Sequence, residues 1–98
     1  MSVTVSKSAS ESVALPRDPL KYRLSSHADR RLRELDRMMS VSLVKNVLRH
    51  GEIRKNRDPA LSNIELDVAG ITYRVIVTNR CDPAWDRHTI VTLFPIGE

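Results

Sequence analysis

His27 and Arg31, one helical turn apart, are the side chains whose types and spacing best fit chemistry on a phosphate. Cleavage of RNA without a metal needs a base with a pKa near neutral to take the 2′-hydroxyl proton, and histidine meets that need. It also needs donors where negative charge builds up on the phosphate, and arginine provides a fork of them. The alternatives are a locally hydrogen-bonded helix-start histidine and, for Arg31, an ion pair with Glu34 or Asp29.

The helix that would position this pair is indicated by a capping pattern and an apolar stripe. Ser26 and Asp29 fit the spacing of a capping box, so His27 is expected to be the first helical residue. The apolar positions that follow recur at spacings of four, three and four: Ala28, Leu32, Leu35 and Met39. At about 100° per residue they form one core-facing stripe, with His27 and Arg31 on its flank. The helix is predicted to end near Met39.

The outer side of the same helix is basic, since the wheel turns three arginines toward water: Arg30, Arg33 and Arg37. The net charge of +4 is also unevenly distributed along the chain. Residues 17–57 carry twelve Lys and Arg against five Asp and Glu, whereas residues 58–98 carry three against six. A basic half of this kind attracts an anionic partner, and nucleic acid is the first such partner to consider. The alternative is a solvated surface that keeps the protein in solution.

Length and composition indicate one domain. The 98 residues divide into a flexible, serine-rich tail over 1–16 and a folded unit over 17–98. The lone cysteine, Cys81, excludes an intramolecular disulfide and is compatible with a reducing cytoplasm. No apolar run approaches the roughly 20 residues of a membrane span. No cofactor is expected, and the one set of possible metal ligands, Cys81 with Asp86 and His88, lacks ligand spacing.

The hydrophobic period changes from helical to alternating at Gly51. A second helix, capped by Ser40 or Ser42, is expected to end there in the left-handed conformation that favours glycine. Four strands are predicted beyond it: 52–57, 64–68, 71–78 and 89–94. The predicted fold is therefore α+β, with two N-terminal helices packed on an antiparallel sheet of about four strands.

Two further side chains are candidates for nucleic-acid contacts. Arg74 lies in the third predicted strand, and Trp85 lies in the loop over 79–88, where it can stack a base. The alternative for Arg74 is a cross-strand pair with Glu65 or Asp67. The alternative for Trp85 is a local hydrophobic anchor. The two remaining histidines, at 50 and 88, are expected on the surface.

Three short motifs resemble those of a known family: His27-Ala28-x-x-Arg31, a second helix that closes with Leu48-x-x-Gly51, and a last strand over 90–94, Ile-Val-Thr-Leu-Phe. They are similar to a widespread family of small bacterial domains in the superfold shared by barnase, EndoU, the colicin nuclease domains and RelE. The resemblance covers roughly residues 21–95. It implies helices on an antiparallel sheet and, often, a metal-independent ribonuclease toxin with an immunity or antitoxin partner.

The resemblance also implies site residues, which are His27, Arg31 and Thr92. Phe94 stands where the family pattern prefers tyrosine, so a possible proton donor or phosphate contact is missing. Two hypotheses follow for function. In the first, the chain is a small ribonuclease-like toxin that acts on RNA with His27 and Arg31. In the second, it is a non-catalytic binding protein of the same fold that grips nucleic acid or a host protein, as an inhibitor from a phage or mobile element would.

Overall fold

The computed structural model describes residues 15–35 and 39–96. The described chain is α+β, as predicted, with two helices and five strands in this order: β1 Tyr22–Leu24, α1 Ser26–Glu34, α2 Val41–His50, β2 Glu52–Lys55, β3 Leu61–Val68, β4 Ile71–Thr78 and β5 His88–Ile96. A short 3-10 turn, Pro19–Lys21, precedes β1. Neither of these helices has the length and apolar character needed to cross a membrane.

The sheet differs from the prediction in strand number and direction. Its order is β1-β5-β4-β3-β2, and β1 pairs in parallel with β5 whereas all other neighbours are antiparallel. The helices therefore do not precede all the strands, because β1 lies before α1. The sequence indicated only an extended lead-in here. Three residues are too few to show an alternating pattern, and their partners, beginning with Tyr22 opposite His88, lie near the other end of the chain.

One face of the sheet packs against both helices. Val75 in the central strand β4 lies between Ile64 of β3 and Leu93 of β5, and all three are fully buried. From the helices, Ala28, Val47 and other apolar side chains complete the same core. Because side chains alternate along a strand, the residues between these positions project from the opposite face. We call that opposite side the open face.

The start of α1 is attached to β5 through Ser25, one residue before the predicted cap. The Ser25 hydroxyl accepts from the Ala28 amide at 3.0 Å and donates to the Val91 carbonyl at 3.0 Å. Its own amide donates to the Ile90 carbonyl at 3.0 Å. The prediction that Ser26 caps the helix is therefore wrong by one residue. Asp29, expected in a capping box, instead pairs with Arg33 at 3.2 Å.

The end of α1 is also earlier than predicted. The helix closes at Glu34, and Met39 lies outside it, buried in the core. The prediction for Arg37 falls on a position outside the described residues. The second helix begins as expected, since the Ser40 hydroxyl accepts from the Leu43 amide at 3.1 Å.

Gly51 ends α2 for a different reason from the one predicted. Its φ of −69° and ψ of 160° are extended rather than left-handed, so any residue could adopt them. A Cβ at this position, however, would lie 2.5 Å from the Val47 carbonyl oxygen and 2.7 Å from Cγ2 of Ile64. Glycine is thus required by the close approach of the helix end to β3.

The segment before β1 packs on the domain. Leu15, which the prediction assigned to the tail, is buried, and the Tyr22 hydroxyl donates to the Pro16 carbonyl at 2.7 Å. Burial raises the pKa of Tyr22 to about 12. Arg17 donates to the Gly51 carbonyl at 2.6 Å, so it ties this segment to the end of α2. The rest of the predicted tail, residues 1–14, lies outside the described residues.

His88 is not on the surface, and that prediction was wrong. Because His88 is the first residue of β5 and pairs with Tyr22, its side chain points to the helix face and is buried. Its Nδ1 lies 2.8 Å from the Thr78 carbonyl oxygen, and its ring centre lies 5.6 Å from that of Tyr22. The other histidine, His50, is exposed at the end of α2, as expected.

Ser25→Ala should lower the free energy of unfolding by about 1–2 kcal/mol, because it removes both the helix cap and the link to Val91. Urea unfolding measures this. The neighbouring exposed residue gives a matched control: Ser26→Ala should change stability by less than about 0.5 kcal/mol. A larger loss for Ser26→Ala than for Ser25→Ala would contradict the cap assignment.

Gly51→Ala should destabilise the fold by about 1–3 kcal/mol, since the added methyl overlaps Val47 and Ile64. Substitution by asparagine, which tolerates a left-handed backbone, distinguishes this steric overlap from an effect of backbone conformation. At Gly70, where φ is +85° and no atom would lie within 4 Å of a Cβ, asparagine should be better tolerated than alanine. At Gly51 the larger side chain should be at least as harmful as alanine, and recovery of stability there would contradict the packing explanation.

Candidate functional site

His27 and Arg31 lie on one flank of α1, in its first two turns. His27 is exposed and Arg31 is partly exposed, and a spacing of four residues places their side chains next to each other on the helix surface. Both follow the Ser25 anchor, so their backbone is held against β5. The amide groups at a helix start carry partial positive charge, which adds to the attraction for an anion. The structure thus brings together the first two residues of the predicted site.

Arg31 also makes the ion pair that was its alternative. Its Nη1 lies 3.6 Å from Oε1 of Glu34, and both side chains are substantially exposed, at 41 % and 56 %. An exposed pair of this length contributes little to stability, because water and salt screen both charges. The contact therefore leaves the guanidinium able to exchange Glu34 for a phosphate.

Thr92 does not share a face with this pair. It lies opposite Ile76, whereas the neighbouring Val75 and Val77 point into the core. The register shifts between Ile76 and Val77, so Val91 is an extra, bulged residue in β5. The helix start contacts β5 at Val91, one residue before Thr92, but the Thr92 side chain projects from the open face. The register therefore places Thr92 on a different face of the sheet from the helix that carries His27 and Arg31, although the resemblance implies one site for all three.

Arg30 and Arg33 are exposed on α1, as the helical wheel predicted. Arg33 is paired with Asp29, and both side chains are in contact with solvent. The described part of α1 therefore has a basic outer surface close to His27. A surface of this kind raises the local concentration of polyanions and does not select among them.

Arg74 is engaged on the open face by the cross-strand partner that was its alternative. Its Nε donates to Oε2 of Glu65 at 2.8 Å, and Arg54 approaches the other oxygen of the same carboxylate at 3.4 Å. The Glu65 side chain is only 15 % exposed, so water screens these pairs less than the pairs on α1. The guanidinium carbon of Arg74 also lies 5.7 Å from the ring centre of Phe94. Arg74 is thus held in a defined position on the open face, whereas α1 packs on the opposite face of the sheet.

A pocket of about 400 Å³ lies next to the Glu65 carboxylate, on the side of β2 and β3. Its lining is His50, Glu52, Arg54, Glu65, Leu66, Asp67 and Thr72. Three carboxylates against one arginine make it a poor phosphate site. None of the predicted catalytic residues contributes to it.

Trp85 is exposed, with Arg23 packed on its ring. Its side chain lies in the loop before β5 and is 56 % exposed, with the guanidinium carbon of Arg23 5.1 Å from its ring centre. Arg23 was not singled out from the sequence. It belongs to the short strand β1, whose pairing with β5 places Arg23 opposite Thr89 and turns it to the open face.

Cys81 is exposed in the loop before β5. Desolvation and the carboxylate of Asp86, to which the thiol donates at 3.7 Å, raise its pKa, which disfavours the nucleophilic thiolate. Within residues 15–35 and 39–96, no group of three or more His, Cys, Asp and Glu side chains is arranged to hold a metal ion. His88, one of the three possible ligands considered from the sequence, points into the core.

Glu65→Gln should lower the free energy of unfolding by about 1–2 kcal/mol, because two arginines would then lose a shared, mostly buried carboxylate. Glu52→Gln is the matched control, since the Glu52 side chain is 67 % exposed and pairs with Arg54 at 2.8 Å. It should cost less than about 0.5 kcal/mol. Equal losses in urea unfolding would contradict a special stabilising role for the shared Glu65 carboxylate.

Comparison with known proteins adds no relative. The chain matches no family model, no curated protein and no solved structure. The family resemblance and the function therefore stay predictions.

Proposed function

We propose that this chain is a small RNA-directed domain, a metal-independent ribonuclease-like toxin that acts in the cytoplasm. The observation that supports the proposal best is the exposed pair of His27 and Arg31 on one flank of α1, at the positive end of a helix anchored to β5. In this proposal a phosphate binds beside the first two turns of α1. Arg30 and Arg33 add the basic surface that attracts the polyanion.

Each residue of the pair has a stated role. His27 takes the proton of the 2′-hydroxyl, whose oxygen attacks the adjacent phosphorus to form a 2′,3′-cyclic phosphate, and the 5′-oxygen of the next nucleotide leaves and takes a proton from water. Arg31 exchanges Glu34 for the phosphate and stabilises the charge that builds up on its oxygens. Among residues 15–35 and 39–96 no side chain hydrogen-bonds His27, and the residue is exposed. Thr92 is assigned to RNA binding on the open face, because its side chain points away from His27.

A protein partner is part of this proposal. A ribonuclease toxin must be blocked in the cell that makes it, and the family resemblance implies an immunity or antitoxin protein. The basic half of the chain suits a partner with an acidic surface, because complementary charge speeds association and excludes wrong partners.

The proposal is tested by RNA cleavage in EDTA, which removes any contaminating metal nuclease. Purified wild-type protein should cleave total RNA or tRNA, and His27→Ala should lower the rate at least about a hundredfold, the usual effect of losing a general base. Arg31→Gln should lower it comparably through loss of charge stabilisation.

The chain offers matched controls for both variants. His50→Ala removes another exposed histidine at a helix end, and Arg57→Gln removes an exposed arginine in the turn between β2 and β3, away from α1. Both should retain most of the activity. No cleavage by the wild-type protein, or an equal loss for His50→Ala, would refute a ribonuclease that uses His27.

The second candidate is a non-catalytic binding protein that grips nucleic acid or a host protein. The position of Thr92 on the open face favours it, because the helix pair then lacks the third predicted residue. The engagement of Arg74 by Glu65 and the phenylalanine at position 94 point the same way. This candidate predicts RNA or protein binding by the wild-type chain without cleavage, in the same EDTA buffer.

A further inference from the structure

Charge divides the open face into two halves. Carboxylates are confined to β2 and β3, where Glu52, Glu65 and Asp67 project from this face. The half formed by β1, β5 and β4 carries two arginines and no carboxylate on the same face. Its other side chains there are hydroxyl or apolar: Thr72, Ile76, Thr78, Thr89, Thr92, Phe94 and Ile96. They are all partly exposed.

An aromatic ring with an arginine beside it lies at each end of this half. At one end the Arg23 guanidinium carbon is 5.1 Å from the centre of the Trp85 ring, and Arg23 also donates to Thr89 at 3.4 Å. The ring remains 56 % exposed, so it offers a planar surface to a ligand. Nearby, the carboxylate of Asp86 is paired with Lys21 at 3.4 Å.

At the other end, Arg74 lies over Phe94 and is positioned by Glu65. The two ends are joined by the segment of β5 from Thr89 to Phe94. At about 3.3 Å per residue, and with a small reduction for the bulge, this segment spans roughly 15 Å. Thr92 and Ile76 lie between them, opposite each other in the register. The half thus presents two planar groups separated by hydroxyl and apolar side chains, with positive charge at both ends.

We propose that this half of the open face binds single-stranded RNA, with bases stacked at Trp85 and at Phe94. Arg23 and Arg74 contact phosphates or extend the stacking surfaces, and Thr92 with Thr89 supplies hydroxyls for the sugars. Stacking on aromatic rings and guanidinium planes requires unpaired bases, so a duplex does not fit. The carboxylates of β2 and β3 repel phosphates and keep the strand over β5. RNA as the ligand rests on the proposed function, whereas the binding surface itself is separate from His27 and Arg31.

Trp85 is the one tryptophan in the chain, so its fluorescence reports directly on this surface. The test titrates the full chain carrying His27→Ala, which prevents cleavage, with a ten-nucleotide oligouridylate in EDTA. Stacking should quench the emission, and the Kd should follow from the same curve. Trp85→Leu, measured by anisotropy of a labelled RNA, should bind about tenfold more weakly, as should Phe94→Leu. Trp85→Phe should retain most of the affinity.

Val41→Ala is the matched control, because Val41 has the same 56 % exposure as Trp85 but lies at the start of α2. It should leave the Kd unchanged. Circular dichroism confirms that each variant is folded. Inorganic polyphosphate of similar charge should bind without quenching Trp85, and a fully paired RNA hairpin should bind more weakly than the single strand.

An unchanged Kd in both Trp85→Leu and Phe94→Leu would overturn the inference, as would binding without quenching of Trp85. These results are separable from those of the cleavage assay. RNA cleavage that depends on His27 but no quenching would leave the proposed function standing and remove the binding surface. Quenching without cleavage would keep the surface and favour the non-catalytic candidate. Absence of any RNA binding would refute the inference outright.

Discussion

The contact on which the rest of the structure depends is the junction of β1, α1 and β5. Three residues of β1 pair with the start of β5, and Ser25 then uses its amide and hydroxyl to bind two successive carbonyls of that strand. The same hydroxyl accepts a hydrogen bond from the Ala28 amide, so one side chain marks both the end of the β1–β5 pairing and the start of the helix. The direction of α1, and with it the position of His27 and Arg31, follows from these hydrogen bonds.

Strand pleating explains why the predicted site is divided. β5 contributes Leu93 to the core, so Thr92 must project from the open face, and only a change of register could bring it to the helix side. The bulge leaves Val91 without a partner in β4, and the Val91 carbonyl, not the Thr92 side chain, binds the helix start. The helix pair and the open face are therefore two surfaces that share β5 as their support. A substrate strand long enough to reach both would pass around the uncovered part of this strand.

The charges of the chain are arranged to keep these surfaces basic. Glu65 lies between Arg54 and Arg74, which keeps two like charges close together on the sheet. Glu34 and Asp29 pair with arginines on α1 at exposed positions, where exchange with an incoming anion costs little. The acidic pocket at β2 and β3 lies on the far side of Arg74. The Glu65 carboxylate that positions Arg74 is thus mostly buried, whereas both members of each ion pair on α1 are exposed to solvent.

The sequence by itself determined the α+β class, the existence of both helices and the three antiparallel strands β3, β4 and β5, and it offered Glu65 or Asp67 as an alternative partner for Arg74. These depend on local periodicity and on neighbours joined by a short turn at Ala69-Gly70. Tertiary structure alone decided the parallel pairing of β1, the burial of His88, the close approach at Gly51 and the face on which Thr92 lies. Each of those follows from contacts between distant segments or from a one-residue bulge, and neither leaves a periodic signal in the sequence. Arg23 joined the candidate surface for the same reason, because only pairing with β5 places it beside Trp85.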